Sequence, residues 1–241
     1  MECAEADSVL NILGIIPARG GSKGIPRKNL ALVGGRPLLA YTTDAARASQ
    51  RLTRVVVSTD DEEIAGVARQ LGVDVPFLRP PQLAADETPM LDVLVDLVAT
   101  LGEREQYRPD VLVLLQPTSP FRRAQHIDDA VELLTSSGSD SVVSVTQVPH
   151  QFTPSSLMRL QQDRLVPWAE GPVPTRRQDK PQLFARNGPA VLAVRTSVVS
   201  DRRSLYGEDV RGLVMSRADS LDIDDGLDLE LASLLMAARV K

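Results

Sequence analysis

The stretch LNILGIIPARGGSKGIPRKN, Leu10 to Asn29, decides how the rest of this chain is read. Its first part, Leu10 to Pro17, is an apolar run of strand length without polar alternation, the pattern of a strand buried on both faces. Its second part, Pro17 to Asn29, carries Arg19, Lys23, Arg27 and Lys28 and no acidic residue. A loop leaving the carboxyl end of a buried parallel strand lies where open α/β sheets bind ligands. Gly20, Gly21 and Gly24 let backbone N–H groups approach such a ligand, and together with the cations they suit a polyphosphate. The alternative is a solvated loop whose glycines only make turns. Neither G-x-x-x-x-G-K-[ST] nor G-x-G-x-x-G follows the strand, which argues against a P-loop ATPase and a dinucleotide-binding dehydrogenase.

Outward from this stretch, apolar runs alternate with helix-period segments. Pro37 to Ala48 has helical spacing, and RVVVS (Arg54 to Ser58) reads as a strand. TDD then opens a helix over EEIAGVARQLG, with acidic residues in its first turn. VDVPFL reads as a short strand, Pro89 to Leu101 as a helix, and VLVLLQ (Val111 to Gln116) as a buried strand. Ala124 to Ser136 follows as a helix and SVVSVTQV as a strand. This order predicts one α/β domain of three layers, a mostly parallel sheet covered by helices on both faces. From His150 to Gln182 the periodicity stops, as in an inserted excursion or an oligomer contact. It resumes with AVLAVR (Ala190 to Arg195), RGLVMS (Arg211 to Ser216) and a helix after Asp224. Residues 1–11 are expected to form a flexible N-terminal tail and 12–241 the domain.

The chain has 241 residues and a net charge of −5, so no global positive field draws nucleic acid, and anions need a local basic cluster. Only 3% of residues are aromatic, too few for a base-stacking platform. A single cysteine, Cys3, and two histidines leave no disulfide framework, zinc cluster or Ser/His/Asp triad in view. MECAEADSVLN lacks the features of a signal peptide, and no run reaches the ~18 apolar residues of a membrane span. A cytoplasmic protein is the expectation.

Near the other end, DSLDIDDGLDLELA (Asp219 to Ala232) holds a second charge cluster. On a strand, Asp222 and Asp224 project together while Ile223 enters the core. Two convergent carboxylates suit Mg²⁺, although Asp224, Asp225 and Asp228 also suit the start of a helix. Between these poles lie three further segments. RPPQLAAD (Arg79 to Asp86) reads by itself as a proline-rich connector with a helix-capping Asp86. Gln116 ends a buried strand at the sheet's carboxyl edge. RRQDKPQLFARNG (Arg176 to Gly188) has four cations, suited to a carboxylate through guanidinium forks.

IIPARGGSKGIPRKN resembles the signature loop of the acylneuraminate cytidylyltransferases, enzymes that make CMP-sialic acid and related CMP-sugars. RPPQLAAD, LLQPTSPFR, the Arg176 to Gly188 segment and LDIDDGLD resemble that family's further motifs in the same order. The resemblance implies a Rossmann-like nucleotidyltransferase fold with a dimerisation excursion. It also implies transfer of CMP from CTP to an acidic nine-carbon sugar, with Mg²⁺ and release of pyrophosphate. Arg19, Ser22, Lys23, Lys28 and Asn29 would hold the nucleotide's phosphate end, and Arg79, Ala85 and Asp86 its base and ribose. Gln116, Arg177, Gln178, Arg186 and Asn187 would face the sugar. Asp222 and Asp224 would bind the metal, and with Arg19, Lys23 and Lys28 would form the catalytic group. The family's aromatic residue after N-G is missing from NGPAVLAV, which leaves other acceptors open: pseudaminic, legionaminic or 3-deoxyoctulosonic acid, or a phosphonate. A non-catalytic nucleotide-binding homologue is the alternative of a different class. A homodimer, with neither nucleic acid nor membrane as partner, completes the expectation.

Overall fold

Successive side chains of the first strand, β1 (Ile12–Pro17), enter two separate apolar cores. The structure is a computed structural model that describes residues 10–239, apart from 170–175, 177 and 179. Ile12 and Ile16 pack with helices α1 (Leu38–Arg47), α2 (Glu62–Gln70) and α4 (Ala124–Ser137). Leu13 and Ile15 pack with α3 (Met90–Glu105) and α5 (Thr196–Ser200) on the opposite face. The period of two in a strand divides its apolar residues this way, and helices on both faces bury them. Asp61 caps α2 by accepting the Ile64 N–H, as the TDD sequence predicts.

β1 lies between β4 (Arg54–Ser58) and β5 (Val111–Leu114), parallel to both. The sheet continues from β5 through β10 (Leu192–Arg195) and β6 (Ser141–Gln147) to β11 (Val210–Met215). β10 is antiparallel to its neighbours, and β6 and β11 are parallel to each other. β1, β4, β5, β6 and β11 therefore end on one edge of the sheet. A short β9 (Phe184–Arg186) pairs antiparallel with the far end of β6, so the chain approaches β10 from that same edge. The architecture is the mostly parallel α/β sheet expected.

Several local expectations change. VDVPFL is not a strand: Asp74 makes one parallel bridge to Val56, and the following Pro76 has no N–H to continue a ladder. The segment after β6 is not wholly irregular, because β7 (Met158–Gln161) and β8 (Arg164–Pro167) form a hairpin. A second small hairpin, β2 (Leu32–Val33) and β3 (Arg36–Pro37), precedes α1. Asp222 and Asp224 do not lie on a strand. They sit in a connector between a 3-10 turn at Arg217–Asp219 and the last helix, α6 (Gly226–Arg239). The Ile223 N–H donates to the Thr118 carbonyl at 2.9 Å, so tertiary contact rather than a ladder fixes this connector. Of the expected tail, residues 1–9 lie outside the described residues, while the Asn11 N–H is held by Asp110 at 2.8 Å.

Candidate active site

Two isoleucines, each set inside a charged segment, bring the poles of the site together. Ile25 of the basic loop and Ile223 of the acidic connector share a small core with Val33, Leu38, Phe121 and Ala232 of α6. Burying these side chains draws the loop against the connector. Gly24 sits so close that a Cβ there would lie 2.4 Å from the Asp224 carbonyl oxygen. Lys28, its side chain 14% exposed, donates from Nζ to the Ile223 carbonyl at 2.8 Å and lies 3.5 Å from Asp224 Oδ1. Opposite charges thus meet in a cleft of about 420 Å³ at the ends of β1, β4 and β5, with Arg19, Ser22, Lys23 and Lys28 in its lining.

The cations of the loop are already engaged. Arg19 and Lys23 both pair with Asp86, at 2.7 and 3.0 Å. Lys23 holds the Asp86 carboxyl below its usual range, and Arg19 adds to the effect. Arg27 adopts the left-handed conformation (φ 52°) and pairs with Asp61 and Glu63 of α2, so it anchors the loop. Asn29 is buried, and its Nδ2 donates to the Arg19 carbonyl at 2.9 Å, shaping the loop from behind. The Gly20 N–H donates to Asp60 Oδ1 at 3.0 Å. Arg79 is buried at the cleft floor, its Nε and Nη2 donating to Ser58 Oγ and O at 3.1 and 2.6 Å. Burial lowers its pKa, opposed by Asp60. Ala85 is exposed beside Asp86 and does not line the cleft.

Asp222 is half-buried. Burial pushes its carboxyl upward and neighbouring Asp224 adds to this, while hydrogen bonds from Thr118 and Ser119 oppose it. Ser119 Oγ donates to Asp222 Oδ1 at 3.3 Å. Asp224, its side chain 82% exposed, reaches into the cleft. Among the described residues no group of three or more acidic, histidine or cysteine side chains gathers to hold a metal. Two hard carboxylates fit a cation that completes its shell with phosphate oxygens and water, as Mg²⁺ does.

The described residues expected to face the acceptor do not line a single cavity. Gln116 lines the cleft. Gln178 lines a larger cavity of about 900 Å³ at the ends of β6 and β11. Arg186 lies on exposed β9 with its guanidinium over the Tyr206 ring at 4.9 Å. Asn187 is buried in the frame: Oδ1 accepts from Ser144 Oγ at 2.6 Å and Nδ2 donates to Ser220 Oγ at 2.9 Å. Arg177 lies outside the described residues. Sequence reasoning passed over Ser119 and the buried Arg122, both within LLQPTSPFR. An arginine a few residues beyond a buried strand is the only signal of it in the sequence.

Cations at one strand exit facing carboxylates from the far end of the chain, on an α/β sheet, define a nucleotidyltransferase. The profile of the cytidylyltransferases matches residues 13–183. A CMP-N,N'-diacetyllegionaminic acid synthase of Legionella pneumophila is 36% identical over 94% of this chain and 97% of its own length. An N-acylneuraminate cytidylyltransferase of Escherichia coli is 34% identical over 92% of this chain; the chain spans 51% of that longer relative. A solved CMP:2-keto-3-deoxy-manno-octonic acid synthetase complexed with CTP shares the fold, with a TM-score of 0.71 at 18% identity, over 95% of this chain and 99% of that one. The chain belongs to the cytidylyltransferase family.

Proposed function

We propose that this protein transfers CMP from CTP to the anomeric hydroxyl of an acidic nine-carbon, sialic-acid-like sugar and releases pyrophosphate. The observation that carries this reading is Lys28 touching Ile223 and Asp224 across one cleft, which puts phosphate-binding cations beside a carboxylate pair. Arg19, Ser22, Lys23 and Lys28 bind the triphosphate, and Asn29 keeps the loop in shape. Arg79 faces the base, and Asp86, released from Arg19 and Lys23 as phosphates take its place, faces the ribose. Asp222 and Asp224 would hold Mg²⁺, which would supply positive charge to offset that of the reacting phosphates. The sugar oxygen bonds to the α-phosphorus as the bond to the bridging oxygen breaks, and the hydroxyl proton leaves to solvent. Arg19, Lys23 and Lys28 neutralise the charge that grows on the departing pyrophosphate.

An acidic acceptor is supported by the larger cavity. Among the described residues, Lys180 and Arg217 lie in its wall with four glutamines and no carboxylate, although the chain is acidic overall. A legionaminic acid is the second acceptor favoured, because the Legionella relative matches over 97% of its length. The β7–β8 hairpin exposes Leu160 and Leu165, and Trp168 just after it is exposed too, which supports a homodimer through this excursion. No described helix is long and apolar enough to cross a membrane, and we place the reaction in the cytoplasm. The test is pyrophosphate release from each of the four nucleoside triphosphates with Mg²⁺ and a panel of acidic sugars. Release is expected with CTP and a nine-carbon 2-keto acid. Release from ATP at the same rate, or none from CTP with any acid, overturns the reading.

A further inference from the structure

Arg122 is 3% exposed, and its guanidinium meets no carboxylate within salt-bridge distance among the described residues. Its donors go to three neutral groups on three separate segments of the chain. Nε donates to the Ala190 carbonyl at 2.6 Å, Nη1 to Thr42 Oγ1 of α1 at 2.9 Å, and Nη2 to the Gln116 carbonyl. A buried cation without a counter-ion is costly, and a neutral side chain would spare the fold that cost. The acidic group whose field reaches it is Asp222; burial lowers the guanidinium to about 9.

The geometry explains what this cation grips. The Gln116 carbonyl also accepts the Ser119 N–H at 3.4 Å, closing the turn from Gln116 to Arg122. That turn supports the metal-site connector twice, through the Thr118 carbonyl to Ile223 N–H and through Ser119 Oγ to Asp222. On the other side, a Cβ on Gly188 would lie 3.2 Å from Ser119 Oγ and 3.4 Å from Asp222 Oδ1. Ala190, two residues on, is bonded to Arg122. Both segments that flank the Asp222 carboxylate are thus tied to one guanidinium, and so is the backbone of Gln116, which lines the cleft.

We infer that Arg122 is a positioning residue for CMP transfer, clamping the Gln116–Ser119 turn and the Gly188–Ala190 segment so that Asp222 and Gln116 are held in register with each other. The inference rests on the proposed reaction and adds a residue that touches neither substrate nor metal. Arg122→Lys keeps the charge but cannot span three acceptors. Its kcat is expected to fall by at least about 10-fold, because small misplacements of reacting groups are costly. KM for CTP should stay within about 3-fold, since the triphosphate cations are untouched, and calorimetry should still find one CTP bound per chain. Ser119→Ala should lower kcat less, and the double variant should fall short of the product of the two effects, because both lie on one path. Wild-type kcat in Arg122→Lys would overturn the inference. So would a loss matched by fewer CTP sites, which marks simple unfolding, or strictly multiplicative effects with Ser119→Ala. A wild-type enzyme that releases no pyrophosphate would instead remove the reaction itself.

Discussion

The two cavities on the carboxyl edge of the sheet are built differently. At the ends of β1, β4 and β5, Arg19 and Lys23 are paired with Asp86, Lys28 with the acidic connector, and Arg79 with Ser58. At the ends of β6 and β11 the wall offers amides, Gln147, Gln151, Gln178 and Gln182, beside Lys180 and Arg217. The first cavity is a charged frame, in which the proposed triphosphate would exchange one anion for another. Among the described residues the second is a neutral-to-basic basin with many donors and acceptors, and it would suit the acid of the proposed reaction. Triphosphate chemistry demands fixed positive charge at set distances, whereas sugar hydroxyls can be met by amides in many arrangements.

Breaking the charged frame should cost most. Asp222→Ala and Asp224→Ala each remove a proposed metal ligand and are expected to lower kcat by at least ~100-fold, read as pyrophosphate release at saturating CTP. Near-normal turnover in either would mean the connector does not hold the metal. Gly24→Ala leaves every charge in place but pushes the loop away from the Asp224 carbonyl, which a Cβ would meet at 2.4 Å. A fall in kcat of about 10-fold is expected, with intact folding by circular dichroism, since displaced groups lose rate without losing chemistry. Full activity would show that the close approach is incidental. The smallest effect belongs to the second cavity. Gln178→Ala should raise KM for the acid about 5-fold and leave KM for CTP unchanged, the loss of one neutral hydrogen bond. A matching rise for CTP would merge the two cavities into one site.

How legible these regions were in the sequence follows the same division. The basic loop is contiguous, so its charge, its glycines and its place after a buried strand can be read from neighbouring letters. The carboxylate pair was legible as a pair, but its strand was not there: a hydrogen bond from Ile223 to the distant Thr118 holds it instead. Asn187 reads as a polar residue among cations and is in fact sealed between β6 and the connector, because its partners Ser144 and Ser220 are 43 and 33 residues away. β9, three residues long, carries too short a pattern to be recognised, and it is what returns the chain to the active edge.

By itself the sequence determined the α/β layering, through apolar runs whose alternate residues fill two cores, and the chemistry of the first loop, through local composition. Only the tertiary structure decided that Ile25 and Ile223, nearly two hundred residues apart, would share one core and carry their charged neighbours with them. Burial of apolar area is non-directional, so it fixes which residues go inside but not which distant segments meet there. That meeting is set by packing and by single hydrogen bonds between groups far apart in the chain.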